Sequence, residues 1–199
     1  DLEEGDSTYQ QMFMNRWLSD SGTFYILSIM KDESLKQSNV VLRGDPNREY
    51  VMSLDTARSR RGTGDDSTLC VMEIRSKPEV VFLWSINNVT AKDLADEVIR
   101  FMGLFGGTIR LVLDRRGGGD YVLDELTKQG LLLVDEPYSI PGRRIIVEFP
   151  STPAEINRAH QELRSGFENG MVFLPRRTES DDPAELKAYN EVDDAIKQL

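Results

Sequence analysis

Cysteine and histidine are almost missing from this chain, with one of each, Cys70 and His160. The four thiolate or imidazole ligands of a structural zinc site therefore cannot be assembled from it. A lone cysteine excludes an internal disulfide, and a reducing, intracellular setting is the natural expectation. Cys70 stands in the apolar run LCVM and reads as a small buried hydrophobe. His160 falls inside a predicted helix, far from any candidate nucleophile, and reads as structural. Long apolar runs are lacking too: no window of 18 residues is continuously apolar, so no membrane-spanning helix is expected. Residues 1–8 are acidic rather than basic-then-apolar, so no secretory signal is expected either. The pattern GxxxxGK[ST] is absent, which excludes a P-loop in this sequence. Basic charge is in short supply, with 24 Lys and Arg against 34 Asp and Glu and a net charge of −10. Such a chain does not grip nucleic acid by electrostatics alone. Chemistry that needs carboxylates stays open, because a bound cation neutralises them in use.

What is present suits one folded domain. Of 199 residues, 39% are hydrophobic and 29% charged, enough for a core and an ordinary surface. There is no internal repeat and no low-complexity tract. The chain opens on Asp1 rather than Met, which leads us to expect a piece of a longer protein. Residues 1–48 read as an arm or linker packing on the remainder of the chain, with a short helix around Met12, Met14, Trp17 and Leu18, and end in the turn-rich GDPNRE. Residues 49–199 read as the domain proper. EYVMSLD is predicted as a strand with Tyr50, Met52 and Leu54 on one face; STLCVMEI and EVVFLWSI are the second and third strands, joined by a tight SKP turn. Thr90 caps a helix from Ala91 to about Met102, striped by Leu94, Val98, Ile99 and Met102. TIRLVLD is a fourth strand, apolar enough to suggest burial on both faces. Gly117–Gly119 turn into a helix over 120–129, LLLVD is a fifth strand, and IIVEF a further short one. Residues 153–168 read as helix, MVFLP as strand, and 183–199 as helix. Hairpin-linked strands followed by alternating β and α elements imply an α/β fold, a mixed sheet flanked by helices in the RNase H-like order.

Two carboxylates stand out in that order. Asp55 ends the first strand and Asp114 the fourth, and each precedes a loop of small, flexible or basic residues. Strand ends of this kind open into the functional crevice of α/β sheets. The first and fourth strands are neighbours in the RNase H order, so the two carboxylates converge, and converging carboxylates repel unless a cation lies between them. Hard oxygen ligands favour Mg²⁺ or Mn²⁺. Two such ions about 3.5–4 Å apart activate a water and stabilise the leaving oxygen of a phosphodiester. The plainer alternative is a pair of loop-edge aspartates, since Asp is a common turn residue. Asp65 and Asp66 precede the second strand and return towards Asp55 across the hairpin; Asp66, nearer the strand, is preferred as an assisting ligand. Arg58, Arg60 and Arg61 cluster beside Asp55, Arg115 and Arg116 follow Asp114, Arg143 and Arg144 come after the fifth strand, and Arg176 and Arg177 follow MVFLP. They read either as phosphate contacts flanking the metals or as a solvated rim. A dinucleotide-binding reading of Gly117–Gly119 fails, because the last glycine of GxGxxG falls on Val122.

Four stretches resemble one known family. MNRWLSDSGTFYI is similar to its linker from motor to nuclease, and YVMSLDTARSRRGTGDDSTLCVMEI to its first-acid strand and Gly-rich loop. IRLVLDRRGGGDYVLDEL, with its own Asp124, is similar to the second-acid strand and glycine turn, and FENGMVFLP to a late segment. The chain thus resembles the nuclease domain of the large terminase subunit of tailed bacteriophages. The resemblance implies a metal-dependent endonuclease that cuts concatemeric viral double-stranded DNA during genome packaging by a two-metal mechanism. Asp55 and Asp114 would be the first two metal ligands, with Mg²⁺ or Mn²⁺ as cofactor. It implies an upstream ATPase motor domain, the small terminase subunit and the portal as partners, and the cytoplasm of the infected host cell as the setting. A third acid is expected late in the domain, at Asp193, Asp194 or beyond Leu199. Two alternatives stay open at this point: another RNase H-like nuclease such as a junction resolvase, and a non-catalytic RNase H-like binding module.

Overall fold

The computed structural model describes Tyr25, Leu35 and residues 39–57, 66–135 and 141–198. The expected helix around Met12–Leu18, and Arg58, Arg60, Arg61 and Asp65, lie outside these residues. The elements run β1 (Glu49–Asp55), β2 (Ser67–Glu73), β3 (Glu79–Ile86), α1 (Ala91–Phe105), β4 (Thr108–Leu113), α2 (Gly119–Lys128), β5 (Leu132–Val134), β6 (Arg144–Glu148), α3 (Pro153–Glu168) and α4 (Pro183–Gln198). The strands form one sheet in the order β3-β2-β1-β4-β6-β5. The hairpin-linked β1, β2 and β3 pair antiparallel, whereas β4 joins β1, and β6 joins both β4 and β5, in parallel. The sheet is therefore mixed, as the element order predicts.

Alternation along β1 buries Tyr50, Met52 and Leu54, and along β4 it buries Ile109, Leu111 and Leu113. These six side chains share one face, because the parallel register sets Tyr50 beside Ile109, Met52 beside Leu111 and Leu54 beside Leu113. Leu94, Val98, Met102 and Phe105 of α1, and Val122 and Leu126 of α2, close the main core over that face. α1 starts where expected, with the Thr90 side chain accepting from the Asp93 N–H, but runs one turn further than predicted, to Phe105. Gly106, at φ +64°, ends it.

A second apolar cluster joins Val80 and Leu83 of β3 to Phe167 of α3, Leu174, and Val192 and Ile196 of α4. Cys70 packs against it, and burial pushes its thiol up to about 12. α4 also sends Ala188 and Tyr189 into the main core, so it wraps the β3 edge of the sheet. The backbone of residues 39–45 runs over the same molecule: the Val41 N–H donates to the Val81 carbonyl and the Gly44 N–H to that of Leu104. At the end of the sheet away from Asp55, the buried Glu73 carboxylate pairs with Arg48 and Arg75.

Three details differ from the sequence reading. MVFLP is not a strand but makes an isolated parallel bridge to β3, Phe173 to Glu79. The Phe173 N–H donates to the Pro78 carbonyl and its own carbonyl accepts from Val80. β4 is not buried on both faces, since Thr108, Arg110 and Val112 are only partly covered. Arg144 is not in a loop but opens β6. No helix among the described residues is long and apolar enough to cross a membrane.

Candidate metal-binding carboxylates

The face that builds the core also places the acids. Leu54 and Leu113 are register partners on the helix-covered face, so the next residues, Asp55 and Asp114, alternate to the opposite face at the same sheet end. Neighbouring strands are about 4.8 Å apart, so the two residues stand on adjacent strands at one end of the sheet. A slip of one residue in β1 would turn Asp55 towards the core, so the burial of Tyr50, Met52 and Leu54 fixes the site. Across β1 and β2, Asp55 pairs with Thr68, and Thr68 pairs with Ser85 of β3. Asp66 stands just before β2, two residues from Thr68, the register partner of Asp55. Asp66 is exposed.

Asp114 is held from several sides. The Arg116 N–H donates to its Oδ1 at 2.8 Å, and the Arg116 guanidinium lies 3.4 Å from Oδ2. The Ser151 hydroxyl, in the turn between β6 and α3, donates to the Phe149 carbonyl at 3.2 Å. Partial burial raises the Asp114 pKa, but the Ser151 hydroxyl and the Arg116 N–H and guanidinium outweigh it and hold the carboxyl below its ordinary value. Asp114 thus stays ionised, the form a cation needs.

The glycines after it serve close packing. Gly117 takes φ +66°, and a Cβ there would lie 2.5 Å from the Thr56 carbonyl oxygen. A Cβ on Gly119 would lie 2.0 Å from the Asp114 carbonyl oxygen. The Thr56 hydroxyl donates to the Arg116 carbonyl, tying the end of β1 to the loop after β4. This turn is thus a clamp between the two acid-bearing strand ends.

Arg115 bridges two further acids, with its Nε 2.6 Å from Asp120 and its Nη1 3.1 Å from Glu148. Those two carboxylates raise its pKa. Glu148 ends β6 beside Leu113 and so stands next to the Asp114 strand end. Arg144 lies at the other end of β6, beside Ile109, so neither it nor Arg143 is brought to the carboxylates. Asp193 pairs with Arg177 at 2.9 Å on α4, across β3 from β1. From the same helix Glu191 accepts from Ser85 of β3 at 2.6 Å. His160 hydrogen-bonds Tyr25 through Nδ1 at 2.7 Å, away from the strand ends.

Sequence reasoning passed over Ser151, Glu148 and Glu191. Ser151 and Glu148 come to the Asp114 strand end because β6 is inserted beside β4, and Glu191 meets Ser85 because α4 folds over β3. The turn signal in FPSTP was legible, but nothing in it pointed back to Asp114.

The donor set consists of hard oxygens. Among the described residues no three His, Cys, Asp or Glu side chains gather closely enough to ligate one ion. Two carboxylates suffice for Mg²⁺, which keeps several waters and takes one or two carboxylates with substrate phosphates completing its shell. Asp55 and Asp114 fit that demand, and the same oxygen donors suit Mn²⁺. A cavity of about 430 Å³ opens on the opposite face of this sheet end, between Thr56, Ser67, Thr90, Gly118 and Tyr121. Among the described residues it is lined by no carboxylate and no histidine.

No protein-family model matches the chain, and no curated protein matches it. Solved structures do. The large terminase nuclease from thermophilic phage G20c superposes with a TM-score of 0.58 at 18% identity, covering 76% of this chain and 75% of that one. The same nuclease with bound magnesium gives 0.56 at 17%, covering 77% and 75%. The large terminase nuclease domain of Thermus phage P74-26 gives 0.54 at 16%, covering 77% and 73%. The chain therefore has the RNase H-like α/β fold of these nucleases, as its strand order predicts.

Proposed function

We propose that this chain is a metal-dependent endonuclease that cuts double-stranded DNA, acting on concatemeric viral DNA during genome packaging. The observation that carries the proposal is the parallel pairing of β1 with β4, which brings Asp55 and Asp114 to one end and one face of the sheet. The fold shared with the phage nucleases and the four resembling sequence stretches support the same reading. Asp55 and Asp114 would hold Mg²⁺ or Mn²⁺, with Asp66 assisting from the hairpin. Two ions at such carboxylates lower the pKa of a bound water and stabilise the leaving oxygen of an in-line displacement. Arg116 orients Asp114 through its N–H and keeps it ionised. Arg115 and Arg116 follow Asp114 in the chain, and Arg58, Arg60 and Arg61 follow Asp55. With so few cations and a net charge of −10, the isolated chain binds DNA weakly and lets go as salt rises. On this reading residues 1–48 lead from an ATPase motor domain. The small terminase subunit and the portal are its partners, and the infected host's cytoplasm its setting.

Plasmid cleavage with Mg²⁺ or Mn²⁺ tests the proposal. Asp55→Ala and Asp114→Ala should each lower the rate by at least about 100-fold, since even residues behind metal ligands contribute about 10–100-fold. Folded variants that cut at the parent rate would overturn it.

A further inference from the structure

The register between β1 and β4 ends at Leu54 and Leu113, one residue short of the two acids. Past that point a side-chain hydrogen bond takes over, from the Thr56 hydroxyl to the Arg116 carbonyl at 3.1 Å. We propose that Thr56 is a positioning residue for the metal site, locking the loop that orients Asp114 to the strand end that carries Asp55; this rests on the metal-site reading above.

Thr56 follows Asp55 directly and is buried, 6% exposed, against the glycine turn. Its carbonyl oxygen lies where a Cβ on Gly117 would come within 2.5 Å, and its hydroxyl where a Cβ on Gly119 would come within 3.4 Å. The residue after it is tied to the other neighbouring strand. The Ala57 N–H donates to the Oγ of Ser67, a buried residue at the start of β2, at 3.1 Å. The end of β1 is thus fixed from both sides, and Thr56 is the side chain that reaches the Asp114 loop.

What Thr56 holds is the loop residue that faces Asp114. The Arg116 N–H donates to Asp114 Oδ1 at 2.8 Å. The peptide that carries this N–H is held through the Arg115 carbonyl, which accepts from the Asp120 N–H at 3.2 Å. The next peptide is held through the Arg116 carbonyl, which accepts from the Gly119 N–H and from Thr56. Asp120 and Gly119 belong to the same turn as Arg116, so their bonds fix the loop only relative to itself. The Thr56 bond spans 60 residues of sequence and refers the loop, and the Asp114 carboxylate with it, to the end of β1. Two ligands of one ion must keep their separation, because Mg²⁺ demands near-ideal octahedral geometry at about 2.0–2.1 Å. Partners that orient metal ligands contribute about 10–100-fold in affinity. Thr56 acts through Arg116 rather than on the carboxylate itself, so the lower end of that range applies.

The test is Mn²⁺ titration by calorimetry on the full chain, with the melting temperature of each metal-free variant measured alongside. Thr56→Val keeps the shape and removes the donor, and should weaken Mn²⁺ binding by about 10-fold. Thr56→Ala removes the donor without setting a methyl against the Arg116 carbonyl, and should lose as much. Thr56→Ser keeps the donor and should bind within about threefold of the parent, a rescue that mere filling of space would not give. Thr90→Ala removes the N-cap bond to Asp93 at the start of α1 and controls for lost stability alone; it should keep the parent affinity. Parent-like affinity in Thr56→Val or Thr56→Ala overturns the proposal, as does an equal loss in Thr56→Ser or in Thr90→Ala. Asp114→Asn separates the two levels. If it loses Mn²⁺ while Thr56→Val does not, the positioning role alone falls. If it binds like the parent, the metal site falls and takes the role of Thr56 with it.

Discussion

Gly119→Ala sets two effects of known size against each other. Gly119 has φ −58°, an ordinary helical value, so backbone conformation does not require glycine there. Helix propensity alone would make alanine stabilising by at most about 1 kcal/mol. The added Cβ, however, would lie 2.0 Å from the Asp114 carbonyl oxygen and 2.9 Å from its carbon. An ordinary carbon–oxygen contact is about 3.3 Å, so one strand end or the helix must move by about 1.3 Å. The obstacle is backbone, which cannot rotate aside as a side chain can. Overpacking of this kind costs about 1–3 kcal/mol, and the upper half of that range applies. The net effect should be about 1–2 kcal/mol of destabilisation, a fall in melting temperature of roughly 2–8 °C at this chain length. Gly103→Ala is the matched control: a Cβ there meets nothing within 4 Å on an exposed face of α1. It should gain about 0.5–1 kcal/mol and raise the melting temperature by about 1–4 °C. Thermal unfolding of both proteins by circular dichroism decides the matter. A Gly119→Ala protein as stable as Gly103→Ala would refute the packing of the glycine turn against Asp114.

Glu73→Gln should cost about 1–2 kcal/mol in urea unfolding, a moderate figure because Arg48 and Arg75 are themselves 44% and 42% exposed. Burial raises the Glu73 pKa, but the two guanidiniums outweigh that and leave it below the ordinary value. Its stabilisation is therefore complete above about pH 4.3, the unfolded value, and is lost as pH falls through the lower folded one. The parent should lose more stability than Glu73→Gln across that acid window, and parallel losses would contradict the ion pairs. Thr90→Ala removes the N-cap of α1 and should cost about 1 kcal/mol by the same unfolding assay. No loss would mean that the cap carries none of the helix's stability.

Much of this fold was legible because hydrophobic period and turn chemistry agree. β1 alternates strictly, β3 is a continuous apolar run, and α1 has a capping threonine, an apolar stripe and a terminating glycine. Asp55 and Asp114 could be singled out for the same reason: each is the polar residue on which an apolar strand stops. Lateral order was harder to read. β6 lies between β4 and β5, and no local pattern in residues 132–148 says which of the two strands takes the inner place. That insertion carries Arg144 to the far end of the sheet and brings Glu148 and Phe149 to the end of β4 that carries Asp114. MVFLP, expected as a strand, pairs only at isolated bridge positions, Phe173 and Pro175. The β4 strand looked buried on both sides because Val112 was counted with the core, although Arg110 two residues earlier marks its face as the open one.

The central claim is that Asp55 and Asp114 share a divalent cation. Anomalous diffraction from crystals soaked in Mn²⁺ tests it most directly. The account predicts an anomalous peak on the Asp55 face of the sheet, within about 2.0–2.3 Å of an oxygen of each carboxylate. A chain that binds Mn²⁺ elsewhere, with no peak at either aspartate, would contradict it.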